Sequence, residues 1–356
     1  MSIINNIEKV DIWEYLQNQT KPVVIYGMGD GAQKIMNVCE KKGIKISGVF
    51  ASDDFARYNQ FAGFTVGKLS DIKAQFDDFI ILLAFAVFRE PGLSKIYSIA
   101  KEHELYAPDV PLFGGGLFDR SYLEQNINKF DLVYDLLEDD ISKKTLIDIL
   151  NFKITGKIEY LDSCTYERNE ILGDKLKFTN DEYIVDLGAY DGDTIAEFLE
   201  LCGGSAQSIT AFEPDAKNFK KLSAFVEEND ICAELHNLAV WSDKEVLHFN
   251  GGGGRNSAVN DGGKIEVNAN SIDNILGGRK ATLIKYDVEG AEMPALKGAK
   301  STILAHKPKL IVSAYHTNSD LFDIALCIKS LVPEYKLYLR HHPYIPAWET
   351  NFYATV

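Results

Sequence analysis

Paired cysteines are missing from this chain. The five it has, Cys39, Cys164, Cys202, Cys232 and Cys327, are odd in number, widely scattered and without a Cys-x-x-Cys pair. That pattern argues against a disulfide framework and a cysteine zinc site, and fits reduced thiols. Positive charge is also short, with 37 Lys and Arg against 52 Asp and Glu, a formal charge of −15. Such a field repels phosphate backbones, and no basic run offsets it, so nucleic acid is not an expected partner. Long apolar runs are absent too. The greasiest, from Phe79 to Phe88, is far short of the roughly 20 residues a bilayer span needs. The first ten residues have no apolar stretch of signal-peptide kind, so a cytoplasmic chain without membrane insertion is expected.

What is present points to two α/β units. At 356 residues and 46% hydrophobic, with 17 Tyr and 20 Phe, core material is ample and one ordinary core is too few. Two stretches repeat one pattern: an apolar β-rich run, a glycine turn, then a helix. The first is Pro22-Val-Val-Ile-Tyr-Gly27-Met-Gly29-Asp-Gly31-Ala32, followed by a helix to about Lys42 and a strand from Ile44 to Phe50. The second is Tyr183-Ile-Val-Asp186-Leu-Gly188-Ala-Tyr-Asp-Gly192-Asp-Thr194, with a helix to about Leu201 and a strand from Ser208 to Phe212. Each is the opening of a doubly wound parallel sheet. Between them, apolar residues such as Leu146, Ile149 and Leu150 recur at helical spacing. The expected organisation is a Rossmann-like unit over 1–117, a helical connector over 118–165, and a second α/β unit over 166–356.

In that second unit the pattern predicts further strands at 231–238, 245–249, 264–268, 281–286 and 310–314, then a terminal β pair at 335–339 and 352–356. Helices are predicted at 271–276, 294–304 and 321–331. The run Gly251 to Gly254 before Arg255 reads as a hairpin tip, because four glycines lose much entropy on ordering. The sharper alternative is a lid in which Arg255 grips an anionic group.

Three places carry chemistry. Asp186 closes a strand, and Gly188, Tyr190, Asp191, Gly192, Asp193 and Thr194 form the turn and helix start after it. Such a turn passes tightly beneath a bulky ligand and offers backbone N–H groups to a carboxylate. It has no Lys-Ser/Thr, so a phosphate-binding P-loop is not expected. Glu213 and Pro214 end the next strand, where a carboxylate can accept from both ribose hydroxyls of a nucleoside. Asn237 and Ala239, at the end of the third strand, complete the expected cofactor set. Asp287, Glu289 and Glu292 follow the apolar run Leu283 to Tyr286. Asp287 and Glu289 are expected to face the reacting centre, whereas Glu292 can equally well only load a helix N-terminus.

The blocks Val185-Asp-Leu-Gly-Ala-Tyr-Asp-Gly-Asp-Thr194, Phe212-Glu-Pro214, Ile284-Lys-Tyr-Asp-Val-Glu-Gly-Ala-Glu292 and Lys297-Gly-Ala299 resemble the FkbM family of S-adenosylmethionine-dependent methyltransferases. The resemblance covers roughly Asp181 to Val356. It departs from the broader methyltransferase pattern at Tyr190, where a glycine is usual, but FkbM-like sequences tolerate a larger residue there. It implies a class I methyltransferase-type doubly wound sheet, parallel strands finished by an antiparallel pair, beside the Rossmann-like α/β unit. It also implies S-adenosylmethionine as cofactor and O-methyl transfer to a hydroxyl of a sugar, glycan or natural product. A base must take the hydroxyl proton. His316, after the strand at 310–314, is the first choice, with Asp287, Glu289, His341 and His342 as the others at strand ends. Asp287, Glu289 and His316 would suit Mg²⁺ or Mn²⁺, but their spacing matches no dedicated metal motif and a metal-free site is expected.

Gly27-x-Gly29-x-x-Ala32, with Asp53 or Asp54 after the second strand, fits the dinucleotide fingerprint. It keeps open a nicotinamide-dependent, sugar-modifying enzyme, although Phe85, Phe88 and Arg89 follow the third strand where a catalytic Ser/Tyr/Lys set would be needed. The bland readings are a Rossmann-like unit used for another ligand or for a homo-oligomer, and a non-catalytic module of polysaccharide assembly.

Overall fold

A computed structural model describes residues 2–112, 114, 116–249 and 265–356. The glycine run and Arg255, with the lid expected there, lie outside these residues. The N-terminal sheet is parallel in the order β2-β1-β3-β4, from β1 (Val23–Tyr26), β2 (Ile46–Phe50), β3 (Ile80–Leu83) and β4 (Glu104–Tyr106). Residues of β1 and β3 are buried throughout, which is why they read as unbroken apolar runs rather than alternating ones.

The C-terminal sheet has seven strands. In chain order these are β5 (Tyr183–Leu187), β6 (Ser208–Phe212), β7 (Glu234–His236), β8 (Leu283–Tyr286), β9 (Lys309–Ser313), β10 (Lys336–His341) and β11 (Thr350–Thr355). They lie in the order β10-β11-β9-β8-β5-β6-β7. The five from β5 to β9 are parallel, and β11 runs antiparallel to both β9 and β10. This is the class I methyltransferase arrangement. The strand order reverses at β5, which pairs with β6 on one side and β8 on the other. A crevice outside the carboxyl ends of such strands is where an open α/β sheet takes its ligand.

Two elements differ from the sequence pattern. The strand expected at 231–238 shortens to β7, and Ala239–Val240 leaves it to pair with Ile265–Asn270 in a small separate sheet. The helix expected at 294–304 is two, Glu292–Gly298 and Lys300–His306. The chain is pressed against a neighbour there: a Cβ on Gly298 would lie 2.0 Å from the Trp241 carbonyl oxygen.

Helices Arg120–Leu136 and Asp140–Thr155 join the two sheets. One apolar core runs from Val24 and Tyr26 through Phe130 and Leu150 to Ile284 and Leu339. Arg340, 1% exposed, pairs with Asp139 at 2.7 Å and so ties β10 to the second helix. Backbone bonds of 2.8 Å in both directions between Val87 and Ile345 tie the loop after β3 to the C-terminal half. No helix among the described residues is long and apolar enough to cross a membrane.

Candidate functional site

The turn after β5 is shaped by two glycines. Gly188 has φ +78°, and its amide and that of Ala189 both donate to the Phe212 carbonyl at 2.9 Å. A Cβ on Gly188 would lie 2.0 Å from the Asp287 carbonyl oxygen, so only glycine lets the turn pass beside the end of β8. Gly192, φ +96°, opens the helix Asp193–Leu201, and a Cβ there would meet the Phe225 ring at 2.3 Å. Tyr190 between them takes φ +48°, stands 45% exposed and has the Lys221 ammonium 4.9 Å above its ring. Asp193 accepts from its neighbour Thr194's amide at 2.7 Å, loading its own helix start. Asp191 lies beside it, half-buried.

Glu213 sits at the tip of β6, 6% exposed. Its Oε2 accepts from the Tyr190 amide at 3.0 Å and its Oε1 from the Asp215 amide at 2.9 Å. Burial raises its pKa, and the two amides oppose that. They fix the plane of the carboxyl and leave each oxygen a further lone pair, the provision two ribose hydroxyls require. Asn237 donates to the Glu213 carbonyl at 2.8 Å and to the Pro214 carbonyl at 3.1 Å. It therefore braces the acid's backbone. Ala239 is buried at the start of the small sheet.

Asp186 is not a ligand-facing acid. It is fully buried, and its Oδ1 lies 3.2 Å from the Lys285 ammonium on the neighbouring strand, where the two residues are in register. The contact is ionic without hydrogen-bond geometry, and Oδ2 has no hydrogen-bond partner among the described residues. Burial pushes the Asp186 carboxyl up and Lys285 pulls it back. Lys285 also donates to the Gly188 carbonyl at 2.7 Å and lies 4.0 Å from Asp287 Oδ2. Asp186 thus acts on the crevice by holding the lysine that holds the turn. Sequence reasoning missed Lys285, although a lone charge inside Leu-Ile-Lys-Tyr was its signal.

On the other side of the turn, four acidic and basic side chains meet. Asp287 Oδ1 accepts from Ser313 Oγ and the Tyr315 hydroxyl, both at 3.1 Å, and lies 3.6 Å from His316 Nε2. Burial alone would raise its pKa, but Lys285, His316 and the two hydroxyls hold it below the ordinary value. Glu289 takes φ +54°, and its half-exposed carboxylate lies 3.7 Å from the same His316 nitrogen. Glu292, 1% exposed, turns back from its helix: Oε1 accepts from the Val288 amide at 3.0 Å and pairs with His316 Nδ1 at 2.9 Å. Helix loading is therefore only part of its role.

Residues 186–346 match the family model described as Methyltransferase FkbM domain. This stretch is an FkbM methyltransferase domain. The crystal structure of Methyltransferase FkbM from Methylobacillus flagellatus KT aligns at a TM-score of 0.72 and 24% identity, over 94% of this chain and 90% of that one. It shows the same fold across both halves. An rRNA methylase from Streptococcus thermophilus aligns over 50% of this chain and 88% of its own at 13% identity, TM-score 0.33. Precorrin-6y C5,15-methyltransferase from Geobacter metallireducens GS-15 aligns over 54% and 91% at 10% identity, TM-score 0.34. No curated protein matches the chain. The class I fold of the FkbM domain implies S-adenosylmethionine as its cofactor.

Histidine roles in the FkbM domain differ from the expectation. His316 is 3% exposed. Burial alone would lower its pKa, but Glu292, Asp287 and Glu289 push it up to about 10. A ring that holds its proton at neutral pH cannot serve as the resting base. His341 is fully buried, with Nε2 donating to the Tyr344 carbonyl and Nδ1 against Thr350 Oγ1, both at 3.1 Å. His342 donates from Nδ1 to the Tyr166 carbonyl at 2.7 Å and accepts from the Tyr353 hydroxyl at 2.6 Å. Neither His341 nor His342 has a nitrogen left for a substrate. They are core histidines, pushed down by burial to about 4 and about 3.

A pH dependence follows. Below the unfolded value of about 6.5 the unfolded chain binds protons that these two rings refuse, so stability is full above about pH 6.5 and is lost as pH falls toward 4. Urea denaturation from pH 7.5 to 4.5 should show that decline. It should be shallower in His342→Gln, and an identical slope in the variant would contradict the assignment.

In the N-terminal half, Gly27 has φ +130° and a Cβ there would touch Phe85 at 3.0 Å, while Asp53 and Asp54 are exposed beyond β2. Phe88 stacks on Tyr344 with ring centres 5.0 Å apart, and the Arg89 guanidinium lies over the Phe88 ring at 4.9 Å. The loop after β3 is thus spent on contact with the FkbM domain.

Proposed function

We propose that the FkbM domain moves a methyl group to a hydroxyl of a sugar, glycan or natural-product acceptor. Bound S-adenosylmethionine supplies the electrophilic methyl. Glu213, its carboxyl plane fixed by two amides, accepts from the ribose hydroxyls. The turn from Gly188 to Gly192 lies beneath the nucleoside and offers the helix start to the methionyl carboxylate. The observation that carries the reading is the rim itself. Glu213 and Asp287 flank the Gly188 turn at the ends of strands on either side of β5. Asp287, anchored by Ser313 and Tyr315, accepts the acceptor's hydroxyl hydrogen, and its proton passes to that carboxylate as the C–O bond forms. Support for oxygen over a nucleic-acid amine comes from the chain after β8, Asp287-Val-Glu-Gly290, which lacks the proline turn those enzymes need.

Titration calorimetry with S-adenosylhomocysteine is the test. Two hydrogen bonds to a charged group, at about 1.5–3 kcal/mol each, put the loss in Glu213→Ala at roughly 100-fold or more. No binding by the natural chain, or equal binding by the variant, would remove the cofactor assignment. A methylamine rather than a methyl ether among products, read by mass spectrometry, would remove the acceptor assignment.

A further inference from the structure

We propose that Asp287, Glu292 and His316 form a divalent-cation site in the acceptor half of the FkbM crevice, with Glu289 at its open side. One ligand atom from each of the three lies within 4.8 Å of the others. An ion about 2.1–2.5 Å from each of two oxygens bridges atoms up to roughly 4.2–5 Å apart, so a single cation spans the set. The separations of 3.6 and 3.7 Å from His316 Nε2 to Asp287 and Glu289 point the same way. They exceed the usual N–H···O range of about 2.7–3.2 Å, yet are close to the spacing of two ligands on one ion.

A second observation is independent of that clustering. Glu292 is 1% exposed, and its Oε2 has no hydrogen-bond partner among the described residues. A buried carboxylate oxygen left without a donor is costly, and a cation removes the deficit. Neighbouring positive charge is already engaged, since Lys285 pairs with Asp186 and Arg168 with Glu197 at 2.8 Å. Asp320, also buried, is a further carboxyl near Glu292 and His316. To ligate, His316 gives up its Nε2 proton to the solvent as the ion takes that proton's place, while Nδ1 stays on Glu292; carboxylate oxygens with one imidazole nitrogen suit Mn²⁺, with Mg²⁺ and Zn²⁺ on either side in ligand preference. Three protein ligands on a six-coordinate ion leave positions for acceptor oxygens. On the O-methyl reading, which this inference deepens, the ion would hold the hydroxyl oxygen beside Asp287.

The full chain is titrated with Mn²⁺ and free ion is read by electron paramagnetic resonance, without substrate or turnover. One ion per chain is expected. Binding should fall about tenfold or more in Asp287→Asn and in Glu292→Gln, and stay unchanged in Glu200→Gln, an exposed acid outside the site. Melting curves by circular dichroism on each variant show that it is folded; a variant that does not melt cooperatively is replaced by Glu289→Gln, whose side chain is half exposed. No Mn²⁺ uptake, or equal uptake by the natural chain and the folded variants, overturns the site. S-adenosylhomocysteine binding without Mn²⁺ uptake sinks this inference alone. Mn²⁺ uptake with no nucleoside binding leaves the ion site standing and removes the cofactor reading beneath it.

Discussion

Gly188→Ala should abolish cofactor binding and destabilise the chain by roughly 2–5 kcal/mol. Two penalties add. The residue sits at φ +78°, where an L side chain costs about 1–2 kcal/mol. Its new methyl would also stand 2.0 Å from the Asp287 carbonyl oxygen, and overpacking of this kind costs about 1–3 kcal/mol. The obstruction is backbone, so no rotamer change relieves it; either the turn or the end of β8 must move. Both movements reach the site, because Lys285 bonds the Gly188 carbonyl and pairs with Asp186, and Asp287 begins the acidic rim. Urea denaturation and S-adenosylhomocysteine calorimetry on the same variant check the two effects. Natural affinity in a folded Gly188→Ala chain would show that the turn does not form the nucleoside's floor.

Lys285→Met is the second large effect, with an expected loss of about 3–5 kcal/mol. The substitution leaves Asp186, fully buried, as a carboxylate with its ion partner gone. Restoring neutrality should recover most of the loss, so Lys285→Met with Asp186→Asn should be more stable than Lys285→Met alone. The pH sign separates this from simple repacking. With burial unopposed, the Asp186 carboxyl holds its proton in the folded chain. The single variant should then lose stability as pH rises above about 4, where the unfolded carboxyl ionises. The double variant should lack that slope. Equal stability of the two variants across pH 4–7 would mean that the pair is not what holds the turn.

Much of the turn proposed to hold the cofactor was legible in the residues. Gly188 and Gly192 announced a turn that only glycine can make, and Glu213 stood one strand-helix-strand unit further on, at the strand tip where the structure places it. The acceptor side was less so. His316 was identified by its place after a strand, but its charge state came from three acids that fold around it, one of them Glu292 from a helix start. His341 and His342 shared the same strand-end signal and turned out to be core residues, because Tyr344, Thr350 and Tyr353 of the next turn and strand, with the remote Tyr166, take up their ring nitrogens.

Strand, turn and helix are written in neighbouring residues, since apolar period and glycine backbone freedom act over a few positions. The α/β architecture, its order of elements and the acids at strand tips were therefore readable directly. Which acids meet a ligand and which meet a lysine was settled by register between β5 and β8, nearly a hundred residues apart: Asp186 lies opposite Lys285. Burial does the rest. It makes an unpaired charge too costly to keep, so the pairing chosen in three dimensions, and not the identity of the residue, separates a structural carboxylate from one free to do chemistry.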